Sequence, residues 1–158
     1  MSDKVHLTKK GYDRLQLEFV QLKSVERPSI IQAIADARLH GDLSENAEYH
    51  TAKDRQGFIE GRIKELEVKL SRAEVIDVSK MSGDKVKFGA TVKLLDVDTD
   101  KETTYQIVGA DESSIEEGLL SIKAPLAKAL IGKEQGDEIH VSTPNGQKIY
   151  ELLQVQYI

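Results

Sequence analysis

The chain has 158 residues, of which 39% are hydrophobic, 31% are charged and only 5% are aromatic. This hydrophobic content suffices for a folded core, while many charges and few aromatic side chains favour long solvated helices. The absence of cysteine excludes disulfides, thiolate zinc sites and cysteine nucleophiles, and the net charge of -5 argues against autonomous nucleic-acid binding, which depends on cations that neutralise phosphates.

The first predicted element is an amphipathic helix with Thr8 as a suitable N-cap and Leu7 placed to pack on Tyr12. Its apolar face repeats every three or four residues, at Tyr12, Leu15, Phe19 and Leu22. Pro28 interrupts this face, so we expect a kink or a restart near 26–28, because proline removes a helical hydrogen bond. Further apolar residues then continue to about His40, namely Ile30, Ile31, Ile34, Ala35 and Ala37.

Gly41 and Asp42 predict a turn, after which a second long helix follows. Its members alternate at intervals of four and three residues: Ala52, Gln56, Ile59, Ile63, Leu66, Leu70 and Ala73. Two such helices joined by a short turn pack as antiparallel neighbours. With roughly 30 residues per helix, the arm would be roughly 45 Å long at 1.5 Å per residue.

Beyond residue 84 the pattern changes to strand-like runs, at 86–97, 103–109, 137–141 and 148–158. The sequence Thr143-Pro144-Asn145-Gly146 predicts a hairpin turn, and residues 124–133 predict one short helix between Pro125 and Gly132. Residues 1–78 carry 13 Lys and Arg against 14 Asp and Glu, and residues 79–158 carry 9 against 13. The sequence therefore predicts an α+β fold, with a helical hairpin at 1–78 and a small antiparallel sheet domain at 79–158.

Three carboxylates crowd the predicted tip of the hairpin: Asp42, Glu45 and Glu48. If Asp42 begins the second helix, Glu45 lies one turn away, and both carboxylates reach one divalent cation. Magnesium is commonly held by one or two carboxylates together with water and substrate phosphates, so the tip has half of a metal site. The same spacing also makes a capping box, which the local sequence alone favours, although a cap requires neither Glu48 nor the apolar Leu43.

Other side chains near the tip carry weaker signals. His40 and His50 raise the alternative of a zinc site, but their spacing matches no compact helical histidine pair. Tyr49 is suited to stacking on a base, and more suited to packing across the hairpin end. No glycine-rich phosphate loop, nucleophile elbow or HExxH motif occurs, so the chain by itself lacks the parts of an enzyme.

The run RPSIIQAIADARLHGDLSENAEYHTAKDRQGFIEGRIKELEVKLSRAEVID at 27–77 closely resembles the hairpin of the GreA/GreB transcript-cleavage factors. The segments FGATVKLL, TYQIVG, APLAKALIGKEQGDEIHV and TPNGQKIYELLQVQY resemble the second domain of that family. The resemblance implies an N-terminal antiparallel coiled coil followed by a domain similar to FK506-binding proteins. Within the family, the lack of an extended basic strip on the arm favours the GreA branch over the GreB branch.

The resemblance also implies that the chain acts by stimulating the activity of another protein. Family members bind bacterial RNA polymerase, insert the coiled coil through its secondary channel, and stimulate the polymerase's own hydrolysis of backtracked RNA, which rescues arrested complexes. Asp42 and Glu45 would hold a second Mg²⁺, shared with the polymerase site and not held stably by the factor alone, and would orient the attacking water. The surrounding tip would be shaped by Gly41, Leu43, Ser44, Asn46, Glu48 and Tyr49.

From these observations we expect an accessory factor rather than an enzyme, monomeric and cytoplasmic, with no membrane contact. It would meet the 3′ end of nascent RNA indirectly, and the resemblance carries an expectation of DNA binding. One departure is Ala124 before Pro125, where the family often has serine. The alternatives are a non-cleaving regulatory secondary-channel factor of the same fold, a prolyl isomerase or chaperone, and a coiled-coil adaptor whose acidic tip is only a cap.

Overall fold

The computed structural model describes residues 4–42 and 46–158. The helices are α1 (Lys9–Gln21), α2 (Arg27–Arg38), α3 (Ala47–Ser71) and α4 (Pro125–Leu130). The strands are β1 (Val5–Thr8), β2 (Ala73–Ile76), β3 (Thr91–Asp96), β4 (Glu102–Val108), β5 (Leu119–Ser121), β6 (Glu138–Thr143) and β7 (Gly146–Gln156). The predicted α+β fold class is confirmed.

Two compact units divide the chain. Tyr12–Ala73 form the first unit, and Lys4–Gly11 join Glu74–Ile158 in the second. These units differ from the predicted ranges 1–78 and 79–158 chiefly at the N-terminal segment. This segment belongs to the second unit because Thr8 forms hydrogen bonds with Glu112.

The first unit is a helical hairpin that buries one narrow apolar stripe. The buried residues are Leu15, Leu22, Ile34, Ala37, Ala52, Ile59, Ile63 and Leu66. Two residues predicted on this stripe are exposed instead, Ile31 with 52% of its surface accessible and Ala35. A hairpin of two helices covers only the side of each helix that faces its neighbour, so positions beside that side stay in water.

Pro28 interrupts the first helix as expected, and the interruption takes the form of a π-helical turn at Leu22–Glu26. The amide of Arg27 donates to the carbonyl of Leu22, five residues earlier, and α2 then begins with Pro28 in its first turn. Proline has no amide hydrogen, and its ring collides with the carbonyl four residues earlier in an ordinary α-helix. The wider π turn avoids that collision, and helical structure continues through it.

Among the described residues, three ion pairs between arginine and glutamate cross the hairpin. Arg62 contacts Glu18 through two hydrogen bonds of 2.7 and 2.8 Å. Arg27 contacts Glu60 through two bonds of 2.8 Å each. A single bond of 3.2 Å joins Arg55 to Glu26. Bidentate pairs of this kind fix the lengthwise register of the two helices, because the guanidinium and carboxylate planes must align.

These pairs shift the ionisation of their carboxylates. The hydrogen bonds from Arg62 hold the pKa of Glu18 below its ordinary value, and those from Arg27 do the same to the pKa of Glu60. Each bond stabilises the charged carboxylate more than the neutral acid.

The second unit contains a five-stranded sheet in the order β5-β4-β3-β7-β6. All neighbours are antiparallel except β4 and β5, which are parallel. The sheet is therefore mixed, and the short strand β5 lies outside the predicted runs. The predicted hairpin turn at 143–146 joins β6 to β7, with Thr143 paired to Gly146. Packing of α4 against β6 helps to close a core of fully buried side chains: Val92, Leu94, Ile107, Leu130, Ile139 and Leu152.

Glu112 fastens the N-terminal segment to the second unit. The residue is only 6% exposed, and its carboxylate accepts hydrogen bonds from the amide and hydroxyl of Thr8 and from the amide of Gly109. Thr8 in turn accepts from the amide of Gly11 at 3.1 Å, which confirms Thr8 as the cap of the first helix. Gly11 passes so close that a Cβ atom there would lie 2.1 Å from Glu112 Oε1.

No helix in residues 4–42 or 46–158 combines the length and the apolar character needed to cross a membrane.

Candidate functional site at the hairpin tip

The tip begins where α2 ends. The amides of Leu39 and His40 donate to the carbonyls of Asp36 and Ala37, each at 3.1 Å, which closes the last turn of the helix. Gly41 follows with a φ of +115°, a backbone conformation that side chains with a Cβ rarely adopt. This glycine lets the chain leave the helix direction immediately before Asp42.

On the other side of the tip, Asn46 begins α3. Its Oδ1 accepts a hydrogen bond from the amide of Tyr49 at 3.1 Å, and its carbonyl accepts from the amide of His50 at 3.1 Å. These are the contacts of an N-cap residue. The alternative in which Asp42 caps the second helix is therefore wrong for α3, which begins at Ala47.

The same amide side chain reaches back to α2. Asn46 Nδ2 donates to the carbonyl of Ala37 at 2.7 Å, and Ala37 is itself buried in the hairpin. The carbonyl of Ala37 already accepts from the amide of His40, so the bond from Asn46 is a second hydrogen bond to the same oxygen. One side chain thus joins the end of α2 to the start of α3.

Two of the predicted carboxylates border a common space. An open concavity of about 450 Å³ is lined by His40, Asp42, Asn46, Ala47 and Glu48. Asp42 and Glu48 are both exposed, and Glu48 lies in the first turn of α3, where a negative charge interacts favourably with the helix dipole. The tip therefore exposes the carboxylates of Asp42 and Glu48 to solvent.

Tyr49 packs across the end of the hairpin. Its half-buried ring lies 6.0 Å from the guanidinium of Arg38 on α2 and stands edge-on to the ring of His50, with centroids 5.5 Å apart. This geometry supports the packing role predicted for Tyr49. Arg38 itself gave no signal in the sequence, because a positive charge near the end of a helix is common without any further role.

Three of the predicted tip residues, Leu43, Ser44 and Glu45, lie outside the described residues. The predicted placement of Asp42 and Glu45 on one helical turn requires a helix that starts at Asp42, whereas α3 starts at Ala47. Within the described ranges, no three His, Asp or Glu side chains converge as a metal site would require.

Sequence reasoning named Asn46 as a tip residue but not its bond to the carbonyl of Ala37. A backbone carbonyl leaves no mark in a sequence, and an asparagine before a helix predicts only the cap. The nine-residue interval between Ala37 and Asn46 becomes meaningful once both helix ends are known.

Both parts of the chain match family models. Residues 5–75 match the model described as "Transcription elongation factor, N-terminal", and residues 81–157 match "Transcription elongation factor, GreA/GreB, C-term".

Several curated relatives are similar over nearly their full lengths. Proteins named transcription elongation factor GreA from Ruegeria pomeroyi and Hyphomonas neptunium are 61% and 59% identical, each covering 98% of this chain and 99% of the relative. The protein of that name from Paracoccus denitrificans is 58% identical, with 99% of each chain covered. Among solved structures, GreA factor homolog 1 of Thermus thermophilus aligns at 26% identity and a TM-score of 0.45, over 98% of this chain and 99% of that chain.

Proposed function

The chain belongs to the GreA/GreB family of transcription elongation factors, and we propose that it binds bacterial RNA polymerase and inserts its helical hairpin into the secondary channel. There it stimulates the polymerase's own cleavage of backtracked RNA and so rescues arrested complexes. The factor contributes side chains to the site of another protein and is not itself the enzyme. The second unit, formed by Lys4–Gly11 and Glu74–Ile158, docks on the polymerase.

The proposal depends on the position of Asp42 at the tip and on the residue that caps α3. Asn46, and not Asp42, caps α3, and Asp42 is exposed at the tip. The residue lies directly after the left-handed Gly41, at the far end of two helices whose register is held by arginine–glutamate pairs. A carboxylate in this position suits delivery to a partner's site.

The donor set at the tip fits Mg²⁺ in its chemistry. Mg²⁺ prefers carboxylate oxygens and keeps several ligands as water or substrate phosphate, so one or two carboxylates from the factor suffice. Asp42 would supply one ligand, and Glu45 would supply the second. In phosphodiester hydrolysis the bound metal would stabilise charge on the attacking and leaving oxygens. The polymerase and the RNA would complete the ligand set.

The hairpin suits a protein-lined channel. Its outer surface is rich in charge, and the net charge of the chain is -5, which disfavours tight binding to free RNA. RNA would therefore be met only where the polymerase holds it. DNA binding by the factor alone has no support from this charge balance.

The test uses an elongation complex stalled by omission of a nucleotide and carrying RNA labelled at its 5′ end. Addition of the full chain with Mg²⁺ should shorten the RNA from its 3′ end and restore elongation when nucleotides return. The factor without polymerase should leave the same RNA intact.

Binding to polymerase without shortening of the RNA would identify the regulatory alternative and overturn the cleavage proposal. Hydrolysis of free RNA by the purified factor, lost on substitution of Asp42, would overturn its accessory role.

A further inference from the structure

Asn46 makes two bonds that an ordinary helix cap does not combine. Its Oδ1 accepts from the amide of Tyr49 at 3.1 Å, which caps α3, while its Nδ2 donates to the carbonyl of Ala37 at 2.7 Å, in the last turn of α2. The side chain is half-buried and Ala37 is buried, so both bonds lie at the base of the tip rather than in open solvent.

We propose that Asn46 is a positioning residue for the cleavage reaction, in which a single amide holds both ends of the segment that carries Asp42. This inference rests on the proposed function and specifies how the tip presents its carboxylate. Asn46 does not contact RNA or metal in this role; it acts through Asp42.

The chemistry of the amide explains the choice of residue. Serine, threonine and aspartate cap helices as well as asparagine or nearly so, but a carboxylate has no hydrogen to donate. Serine and threonine are too short to cap one helix and reach the neighbouring one together. Asparagine carries an acceptor and a donor on one rigid plane, so the two bonds constrain each other.

Holding both helix ends matters because the catalytic contribution of a carboxylate depends on its placement. A displacement of about 1 Å at a reacting group can cost on the order of a hundredfold in rate. The carbonyl of Ala37 also accepts from the amide of His40 at 3.1 Å, so the bond from Asn46 and the last turn of α2 meet at one atom. Loss of the hydrogen bond from Asn46 to Ala37, which we call the bridge, should therefore make the backbone from His40 to Asp42 more mobile.

The variant that isolates the bridge is Asn46→Ser, which keeps a neutral cap and loses the donor to Ala37. In the stalled-complex assay we expect a maximal cleavage rate about three- to tenfold below that of the native chain, the effect of one lost hydrogen bond. The factor concentration that gives half of the maximal rate should stay within about twofold, because no polymerase contact changes. The matched control Asn46→Ala loses both bonds and should fall further.

A readout without polymerase separates this inference from the proposed function. By amide hydrogen exchange, His40 should exchange faster in Asn46→Ser and in Asn46→Ala than in the native chain, whereas Tyr49 should exchange faster only in Asn46→Ala. If the native chain fails to stimulate cleavage, the proposed function fails, and with it the reaction that Asn46 would serve.

Native cleavage rates for Asn46→Ser, with stimulation intact in the native chain, would overturn the positioning role. Unchanged amide hydrogen exchange of His40 in Asn46→Ser would also overturn this role, because the bond from Asn46 would then not stabilise the end of α2. A lower unfolding midpoint in Asn46→Ser, with a raised half-saturating concentration, would show a general structural role instead and would also overturn it.

Discussion

At the scale of single residues, the sequence pattern assigns the cap of the second helix to Asp42, whereas the structure places Asn46 in that role. Asp42 and Glu45 have the spacing of a capping box, but the amide of Tyr49 bonds to Asn46. The cap therefore lies four residues later than the pattern predicts. This displacement leaves the carboxylate of Asp42 without a role in capping α3.

The first prediction concerns helix stability. Asn46→Ala should lower the free energy of unfolding of the hairpin by about 1–3 kcal/mol, because the N-cap bond and the bond to the carbonyl of Ala37 are both lost. Asp42→Ala, which removes any capping oxygen at this position, should leave it within about 0.5 kcal/mol, as expected for a surface substitution away from a cap. Urea unfolding followed by circular dichroism measures both. An equal loss in the two variants would show that Asp42 also caps the helix.

The second prediction concerns Glu112, whose buried carboxylate accepts from the amides of Thr8 and Gly109. Glu112→Ala should destabilise the second unit by about 2–3 kcal/mol, because buried donors lose their partner. Glu116→Ala, on an exposed residue of the following turn, is the matched control and should change little. Equal unfolding midpoints for the two variants would contradict a fastening role for Glu112.

At the scale of elements, local patterns predicted the long helices, the turn at 143–146 and the short helix α4. Each depends on residues close in sequence, such as Pro125 at the start of α4. The strands β1, β2 and β5 were not predicted. They are three or four residues long and pair with distant segments, and such short runs carry too little periodicity to identify. The π turn was also not predicted. Pro28 alone predicts an interruption of the helix, and the π-helical form of that interruption depends on the neighbouring residues as well.

The candidate site was predictable in part for the same reason. The acidic residues and Gly41 stand out in the sequence, and Asn46 was among the named tip residues. The bond from Asn46 to Ala37 depends on where two helices end, and helix ends are the least certain part of any sequence pattern.

The third prediction concerns pH and the ion pairs across the hairpin. The pKa values of Glu18 and Glu60 are lowered from an ordinary value of 4.5, so the folded state binds protons less readily than the unfolded state. The stability from these pairs is therefore present above about pH 4.5 and is lost as the pH falls through the lowered values.

Unfolding in urea at a series of pH values down to the acid range tests this. The double variant Glu18→Gln, Glu60→Gln should show a weaker loss of stability in acid than the native chain, and the exposed control Asp54→Asn should match the native chain. An identical acid dependence in the double variant would mean that the pairs add nothing to stability.

At the scale of the whole molecule, the second unit draws on both ends of the chain, since Lys4–Gly11 join Glu74–Ile158. A fragment of residues 74–158 lacks Thr8 and with it two of the hydrogen bonds to Glu112. The fourth prediction is that Glu112→Ala destabilises this fragment by less than it destabilises the full chain, because part of the interaction is already absent. Equal losses would show that Thr8 contributes nothing.

We propose that Asp42 brings a metal ligand to the site of a stalled polymerase. The most direct measurement is the Mg²⁺ dependence of the RNA cleavage rate in stalled complexes, with saturating native factor or the Asp42→Asn variant. A neutral amide is a poorer ligand for Mg²⁺ than a carboxylate, and loss of one such transition-state contact costs on the order of a hundredfold in rate. For Asp42→Asn we expect a loss of this size at limiting Mg²⁺ and partial recovery as Mg²⁺ is raised, with polymerase binding unchanged. Equal rates for both proteins at limiting Mg²⁺ would contradict it.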